Sequence, residues 1–374
     1  MGTIEVVGTG IVYRNPLPHL HSRHAFFPTA AELPSGEVFV AFDLGSAFEA
    51  IDVRSVCSRS CDGGESWSEP VAILLPDERT HIVSTTCRVG QVRPGELLAW
   101  GCLFDRSRPD LGLLNPETRG FCRTDFVTQR SLDGGRTWSR PLSVSLPVDW
   151  PSFETCAPPF SIGEDRLLVV TSAWPDWSGR ESPWRHDGLA FASRDGGETW
   201  GELVQVVRQD HPSLGAFEQA LTRLSDGRVL AICWNYDIAQ SRSLSNRIAF
   251  SNDGFAFGAC RDAPLKGETC RVLGLPSNRV LAVYRRVDRP GLWAQLARID
   301  GDQWIPKADL QLWTGSPSYG DAADLDGGVA KMSSLRFGCP TVVHLSNGEA
   351  FVAFWCFEDC ISVIRWFRLA IQAE

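Results

Sequence analysis

The turn sequence SLDGGRTW at residues 131–138 recurs along the chain, and this repetition constrains the fold more than any other feature. Close copies are SCDGGESW at 60–67 and SRDGGETW at 193–200, and a degenerate copy is SNDGFAFG at 251–258. In such a turn the aspartate accepts hydrogen bonds from backbone amides, the glycines adopt positive φ, and the tryptophan packs between neighbouring units. Folding alone explains the repeat, so we predict a structural role for its four aspartates: Asp62, Asp133, Asp195 and Asp253.

A second pattern, an entry strand followed by a Gly or Asn turn and an apolar strand, occurs six times. The copies are TAAELPSGEVFVAFD, CRVGQVRPGELLAWG, PFSIGEDRLLVVTSA, ALTRLSDGRVLAICW, RVLGLPSNRVLAVYR and TVVHLSNGEAFVAFW. Each has the composition of a β-hairpin. Their turns are about 50 to 70 residues apart, which leaves room for two more strands in each unit. Four short strands per unit describe a propeller blade, so the sequence predicts an all-β, six-bladed β-propeller.

The two ends of the chain offer a way to close the ring. An open ring of blades would leave exposed strand edges. The segments TIEVVGTGIVYR at the N-terminus and SVIRWFRLAI at the C-terminus are strand-like, and we predict that they pair in the last blade. No Ser/Gly-rich or Pro-rich linker divides the chain, so we interpret residues 1–374 as one propeller domain.

Charge and composition exclude several classes of function. The net charge of −9 is spread without runs of like charge, which argues against a nucleic-acid partner. A basic leader and an apolar stretch of about 18 residues are both missing, so we expect a cytoplasmic protein without a membrane partner. The lack of a P-loop and of a GxSxG elbow argues against nucleotide-dependent and serine-hydrolase chemistry. The sequence gives no indication of the oligomeric state.

The cysteines and histidines do not form a recognisable metal pattern. The twelve cysteines are predicted to be free thiols, mostly packed in apolar strands, because the chain lacks an export signal. Two CxxxC spacings match no zinc motif. His19, His21 and His24 lie close together in HLHSRH, but no matching carboxylate or cysteine pattern follows. We therefore predict neither a metal nor another cofactor.

The turn S-x-D-G-G-x-T-W is the Asp-box, and its copies within six blade units resemble the sialidase superfamily across nearly the whole chain. The resemblance implies three arginines that clamp a carboxylate, a tyrosine nucleophile with a glutamate partner, and an acidic acid/base. At the matching positions this chain has Phe26–Pro28, with Arg23 three residues earlier, then Trp234, and Cys339 in place of the tyrosine. Losing the clamp removes strong bidentate contacts to an acidic sugar. The aromatic replacements favour a neutral sugar.

One element of the family pattern is kept. Glu218 stands where sialidases have the glutamate partner, and Glu154 and Glu268 occupy corresponding positions in the flanking units. We expect the three carboxyls to converge on the axial mouth, where inner strands lean together. Exo-arabinanases of the sialidase-like clan use two glutamates in place of the tyrosine. The resemblance to them implies Glu154 as general acid/base, Glu218 as nucleophile, and Glu268 as a group that holds a hydroxyl or tunes a pKa.

Further residues are candidates for substrate binding. Glu49 and Asp52 follow the first hairpin, near the place where the resemblance puts the acid/base. The loop AWPDWSGRESPWRHDG carries three tryptophans outside a strand pattern, which is typical of a sugar-stacking rim. Three arginines lie beside the starts of inner strands and form an alternative to the missing arginine clamp: Arg88, Arg271 and Arg336. The full set of substrate-binding candidates is Arg23, Glu49, Asp52, Arg88, Trp174, Trp177, Trp184, Trp234, Arg271 and Arg336.

These observations leave three hypotheses about function. The first is an exo-acting glycoside hydrolase that cleaves a terminal, neutral sugar from a carbohydrate with a pair of glutamates. The second is an exo-α-sialidase with a rearranged arginine cluster. The third is a non-catalytic glycan-binding propeller, in which no two axial carboxyls lie within about 10 Å of each other.

Overall fold

The part of the chain that the structure describes forms six antiparallel sheets of four or five strands. The computed structural model describes residues 2–73, 82–163, 165–315 and 336–372. Within these ranges the chain forms 26 β-strands. The same part of the chain contains no helix that is long and apolar enough to cross a membrane. The predicted all-β class is confirmed.

Each sheet in the first half of the chain is one blade, numbered in chain order. The chain begins with β1 (Ile4–Tyr13), which belongs to the last blade. Blade 1 contains β2 (His24–Glu32), β3 (Val38–Gly45), β4 (Arg54–Ser60) and β5 (Val71–Ala72). Blade 2 contains β6 (Val83–Arg93), β7 (Glu96–Asp105), β8 (Thr124–Ser131) and β9 (Leu142–Ser143). Blade 3 contains β10 (Phe153–Glu154), β11 (Phe160–Gly163), β12 (Arg166–Ala173), β13 (Gly188–Ser193) and β14 (Glu202–Val207).

The second half of the chain forms the other three blades. Blade 4 contains β15 (Leu214–Arg223), β16 (Val229–Asp237), β17 (Arg242–Ser243), β18 (Arg247–Ser251) and β19 (Arg261–Asp262). Blade 5 contains β20 (Gly267–Leu275), β21 (Arg279–Arg286), β22 (Leu292–Asp300) and β23 (Gln303–Trp313). Blade 6 contains β24 (Phe337–His344), β25 (Ala350–Glu358), β26 (Ile361–Ile371) and the returning β1.

The ring closes through the two ends of the chain. Strand β1 pairs antiparallel with β26, from Ile4 opposite Ile371 to Tyr13 opposite Ile364. The inner strands contact one another in sequence, and β24 contacts β2, so blade 6 lies against blade 1. Closure covers the blade faces that an open ring would expose. The predicted six-bladed propeller and its closure by the terminal strands are confirmed.

The second strand of each blade is strongly apolar because neighbouring blades cover both of its faces. In blade 2, Trp100 of β7 is fully buried. Its ring lies 5.9 Å from that of Phe191 and 4.7 Å from that of Trp200, both in blade 3. Burial of such side chains supplies about 25 cal/mol for each Å² of apolar surface removed from water. These contacts between blades hold the inner strands around a common axis.

The repeated turns fasten adjacent blades, as predicted. In the turn at 193–200, Ser193 Oγ donates to Asp195 Oδ1 at 2.8 Å, and the N–H of Gly197 donates to Ser193 Oγ at 2.8 Å. The N–H of Thr199 donates to Asp195 Oδ1 at 2.9 Å. The turn tryptophans pack on the preceding blade, in the pairs Trp67–Phe351, Trp138–Phe39 and Trp200–Trp100.

The turns also lie far from the starts of the inner strands. Each joins the third strand of a blade, in sheet order, to the fourth. Antiparallel order places that connection at the end of the propeller where the first strand finishes. The aspartates of the turns therefore lie on the face of the propeller opposite the starts of the inner strands.

Candidate active site

Four inner strands contain a β-bulge at a corresponding place. The register of β2, β15, β20 and β24 with the second strand of each blade breaks once, and each break contains a non-glycine residue with positive φ. These residues are Phe27 (φ 52°), Glu218 (φ 49°), Thr269 (φ 50°) and Cys339 (φ 43°). In blade 3, residues 155–159 interrupt the inner strand and include two prolines. Left-handed backbone costs such residues about 1–2 kcal/mol, and strain of this kind concentrates at functional sites.

Glu218 lies in the bulge of β15 and is partly exposed. Its Oε2 accepts a hydrogen bond from the backbone N–H of Thr269 at 2.8 Å. Burial raises the pKa of Glu218 to about 7; the Arg285 guanidinium opposes this rise, and the Glu154 carboxylate adds to it. Glu154 of blade 3 and Glu218 of blade 4 are therefore close enough for their charges to interact. Glu218 changes its protonation state near neutral pH.

Glu154 ends β10, opposite Ser172 of β12. Its Oε2 accepts a hydrogen bond from Trp174 Nε1 at 2.9 Å, and its Oε1 accepts one from Cys156 Sγ at 3.3 Å. Both partners come from the segments that follow β10 and β12. The two donors hold the carboxylate in one orientation.

Glu268 is one residue out of step with Glu218. Glu268 lies opposite Arg285 in the β20–β21 pair, and Thr269 occupies the bulge. The expectation that the three glutamates share one position is therefore wrong for Glu268. Arg285 Nη2 and Nε lie 2.5 Å and 3.0 Å from Glu268 Oε2, and Ser243 Oγ donates to Oε1 at 3.0 Å. Held in this salt bridge, Glu268 acts on Glu218 through its charge.

Three arginines lie in the same region, and each has partners. Arg88 Nη1 lies 3.2 Å from Asp43 Oδ2, and the two side chains are 8% and 0% exposed. Burial raises the pKa of Asp43 to about 6, against the effect of Arg88, so the pair is mainly charged at neutral pH. Arg271 Nη2 donates to the carbonyl oxygen of Cys156 at 2.6 Å. The third arginine is Arg285, already paired across the blade.

Cys339, in the bulge of blade 6, is close enough to several of these groups to interact with their charges. The pKa of its thiol is raised to about 12 by burial and by Glu218, while Arg271, Arg88 and Arg285 lower it. Groups from blades 2, 4 and 5 thus act on one side chain of blade 6. We call the region around these side chains the axial pocket and define it by Glu154, Cys156, Glu218, Glu268, Cys339 and the three arginines Arg88, Arg271 and Arg285.

Aromatic side chains form a wall beside the axial pocket. Trp174 stacks between Phe121 and Phe217, with ring centres 5.8 Å and 5.5 Å apart. Trp234 lies 5.7 Å from Phe217, and its Nε1 donates to Ser243 Oγ at 3.0 Å. Phe121 and Phe217 cover the faces of Trp174, whereas the partly exposed ring of Trp234 is suited to the apolar face of a sugar ring. Of the predicted tryptophans, Trp174 and Trp234 are therefore near the carboxyls.

Glu49 and Asp52, the acidic candidates of the first blade, have different surroundings. Glu49 Oε2 accepts a hydrogen bond from the N–H of Leu113 at 3.0 Å. Burial raises the pKa of Glu49, the Leu113 N–H opposes this, and the charge of Glu154 adds to it, so Glu49 lies close to the pocket. Asp52 instead accepts hydrogen bonds from the N–H and Oγ of Ser46 and holds its own loop. Arg23 is exposed, and its charge acts on the phenol of Tyr13.

The other binding candidates lie against neighbouring side chains. Trp177 has the Arg108 guanidinium 4.9 Å from its ring centre. Trp184 packs on Phe153, with ring centres 6.1 Å apart. The guanidinium of Arg336 lies 6.0 Å from the ring centre of Phe357. In the described part of the chain, no three His, Cys, Asp or Glu side chains are grouped to hold a metal ion.

Three residues of the site were not among the candidates drawn from the sequence. Asp43 interrupts the apolar run VFVAFDLG, where a buried carboxyl requires a charged partner. Arg285 follows the apolar run VLAVY in β21 and lies directly across from Glu268. Both signals were visible in the strands. Cys156 gave no such signal, because it was grouped with the cysteines expected to fill the core.

Solved structures of other proteins have a fold similar to that of this chain. A protein of unknown function from Dyadobacter fermentans DSM 18053 has a TM-score of 0.74 and 21% identity, with 99% of each chain covered. The NanB sialidase from Streptococcus pneumoniae has a TM-score of 0.65 and 10% identity, with 96% of this chain and 70% of that chain covered. The fold is sialidase-like.

The similarity to sialidases extends across kingdoms but stays distant. Trypanosoma rangeli sialidase has a TM-score of 0.61 and 13% identity, with 92% of this chain and 55% of that chain covered. No family model and no curated protein matches the chain. Because these identities are low, the similarity shows the sialidase-like fold alone, and function rests on the axial pocket.

Proposed function

We propose that the protein is a glycoside hydrolase that removes a terminal, neutral sugar bound in the axial pocket. The observation that carries this proposal is that Arg271 donates to the carbonyl oxygens of Cys156 and Glu218, at 2.6 Å and 3.4 Å, and so joins the carboxyl-bearing segments of two neighbouring blades. The charge of Glu154 also raises the pKa of Glu218. Glycoside hydrolysis requires two carboxyls that flank the scissile bond and differ in protonation state. A sialidase-like fold supports this class of reaction without specifying the sugar.

The two carboxyls have different roles in this proposal. Glu218, with its pKa raised to about 7 by burial, is the proton donor to the leaving oxygen. Glu154 is the carboxylate that activates the attacking group, and Trp174 and Cys156 orient it. This assignment exchanges the roles implied by the family resemblance. The physical reason is that burial keeps a proton on Glu218 up to neutral pH.

A neutral sugar fits the charge balance of the pocket. Arg88 and Arg285 are each paired with a carboxylate, and Arg271 donates to a backbone carbonyl. Arg271 keeps its positive charge, but the Glu154 carboxylate balances it, so the pocket has no excess positive charge to offset a substrate carboxylate. The partly exposed ring of Trp234 offers stacking instead. In this proposal the pocket lies where the inner strands surround the propeller axis. We therefore expect it to bind the terminal sugar of a carbohydrate chain.

A second candidate is an exo-α-sialidase, and one observation favours it. Arg88, Arg271 and Arg285 all lower the pKa of the Cys339 thiol, which supports a group of three guanidinium ions near that residue. A sialic acid would have to displace their present partners. This requirement makes the neutral sugar the first choice.

A panel of aryl glycosides tests the proposal. We expect the protein to release the aryl group from at least one neutral glycoside, and we expect Glu154→Gln to lower kcat on it by about 10²–10⁴-fold. Glu202→Gln is the matched control, because that carboxylate pairs with Arg194 on the surface. Absorbance of the released aryl group is the measurement. Hydrolysis of a sialoside alone would favour the second candidate, and inactivity on every glycoside would refute the proposed function.

A further inference from the structure

Cys156 is the one thiol of the axial pocket that is hydrogen-bonded to a proposed catalytic carboxylate. Its Sγ lies 3.3 Å from Glu154 Oε1 and is the donor. The second oxygen of the same carboxylate accepts from Trp174 Nε1 at 2.9 Å. A nucleophile within reach of a base, with a third group orienting the base, is the arrangement of activated nucleophiles in enzymes.

The backbone around Cys156 is held in place for this contact. Residues 155–159 interrupt the inner strand, so Cys156 is not part of a strand pair. Arg271 of blade 5 reaches across and donates to the Cys156 carbonyl oxygen at 2.6 Å. The side chain is partly exposed, whereas Cys57, Cys87 and Cys102 are buried. The thiol of Cys156 is therefore carried on a fixed segment beside Glu154.

We propose that Cys156 is the nucleophile of the reaction and forms a covalent thioglycosyl intermediate, with Glu154 as its base. This inference rests on the proposed function and specifies the group that attacks the anomeric carbon. It predicts that the hydrolysis retains the anomeric configuration, because two displacements occur at the same carbon.

The first step balances with the groups present. Glu154 takes the thiol proton as the sulfur lone pair forms a bond to the anomeric carbon. The glycosidic carbon–oxygen bond breaks, and its electron pair goes to the leaving oxygen, which takes the proton of Glu218. The charge that develops on sulfur is stabilised by Arg271, which lowers the pKa of Cys156 against the larger effects of burial and Glu154.

The second step restores the resting state. A water molecule gives one proton to Glu218 as its oxygen attacks the anomeric carbon. The carbon–sulfur bond breaks, and its electron pair returns to sulfur, which regains the proton held by Glu154. Burial raises the pKa of the Cys156 thiol well above its usual range, so the resting thiol is protonated and the base is required.

The test uses the aryl glycoside that the whole protein hydrolyses best. We expect Cys156→Ala to lower kcat at least about 100-fold. We expect Cys260→Ala, at a partly exposed thiol on the outside of blade 4, to have no effect. Proton NMR should show retention of configuration in the first sugar released. The second probe is a glycosyl fluoride that carries a further fluorine on the carbon next to the anomeric carbon. After reaction with it, mass spectrometry should show the mass of one sugar added to the peptide that contains Cys156.

The outcomes separate this inference from the proposed function. Hydrolysis with inversion, an unchanged kcat in Cys156→Ala, or a sugar adduct on Glu154 would overturn the role of Cys156 and leave the glycosidase proposal standing. Inactivity of the wild-type protein on every glycoside would overturn both. Folding of Cys156→Ala is checked by its circular dichroism and thermal midpoint, and Cys156→Ser, which keeps a weaker nucleophile, should retain more activity than the alanine variant.

Discussion

Glu218→Gln is expected to lower kcat by about 10²–10⁴-fold, because the amide has no proton to give to the leaving oxygen. The substitution keeps the shape of the side chain and an oxygen that accepts from the N–H of Thr269. The loss should therefore appear in kcat, with the fold intact. Glu202→Gln, at the surface, should leave kcat unchanged. An unchanged kcat in Glu218→Gln would contradict the assignment of Glu218 as the proton donor.

The same substitution should make the protein more stable above neutral pH. The folded pKa of Glu218, about 7, lies above the value of about 4.3 that a glutamate has in an unfolded chain. Protonated Glu218 favours the folded state below that unfolded value, and this stability is lost as pH rises through 7. Glu218→Gln does not titrate, so its thermal midpoint should exceed that of the wild type at about pH 8 and match it at about pH 4. An activity loss combined with a stability gain marks a residue kept for function.

Asp43→Ala should have the largest effect on folding, a loss of about 3–5 kcal/mol in the free energy of unfolding. The substitution leaves the Arg88 guanidinium buried without its carboxylate. It also removes the acceptor for Ser55 Oγ at 2.5 Å and for the N–H of Cys87. Urea unfolding at neutral pH measures the change. The expected loss of stability comes mainly from the buried charge of Arg88, which is left without a partner, and only partly from the lost hydrogen bonds of Asp43.

Two controls separate these causes. Asp43→Ala combined with Arg88→Met should recover much of the loss, because no charge remains buried. Asp262→Ala removes an exposed partner of Arg247 and should cost less than about 1 kcal/mol. An equal loss in the Asp43 and Asp262 variants would contradict the account of the buried pair.

The blade architecture was predictable because its signals are local and repeated. In the turn at 193–200, the hydrogen bonds join residues within the same eight-residue stretch. Each hairpin likewise has its own pattern of apolar and turn residues. Closure by β1 and β26 followed from the need to cover strand edges. Such features depend on a few neighbouring residues, so one sequence is sufficient to recognise them.

The site was less predictable because bulges decide which side chains reach the axis. A one-residue change of register turns a side chain to the other face of a strand. This is why Glu268, one residue before its bulge, pairs with Arg285, whereas Glu218 lies in the bulge of its own strand. The hydrophobic pattern does not encode the position of a bulge. The contact between Cys156 and Glu154 depends on the interruption at 155–159 and was invisible for the same reason.

An NMR titration of the Glu218 side-chain carboxyl carbon, in the wild type and in Glu154→Gln, tests the central claim most directly. A shared axial pocket predicts an apparent pKa near 7 in the wild type and a lower value once the charge at residue 154 is removed. A pKa in the ordinary range of a glutamate, unchanged by the substitution, would place the two carboxyls apart and contradict the account.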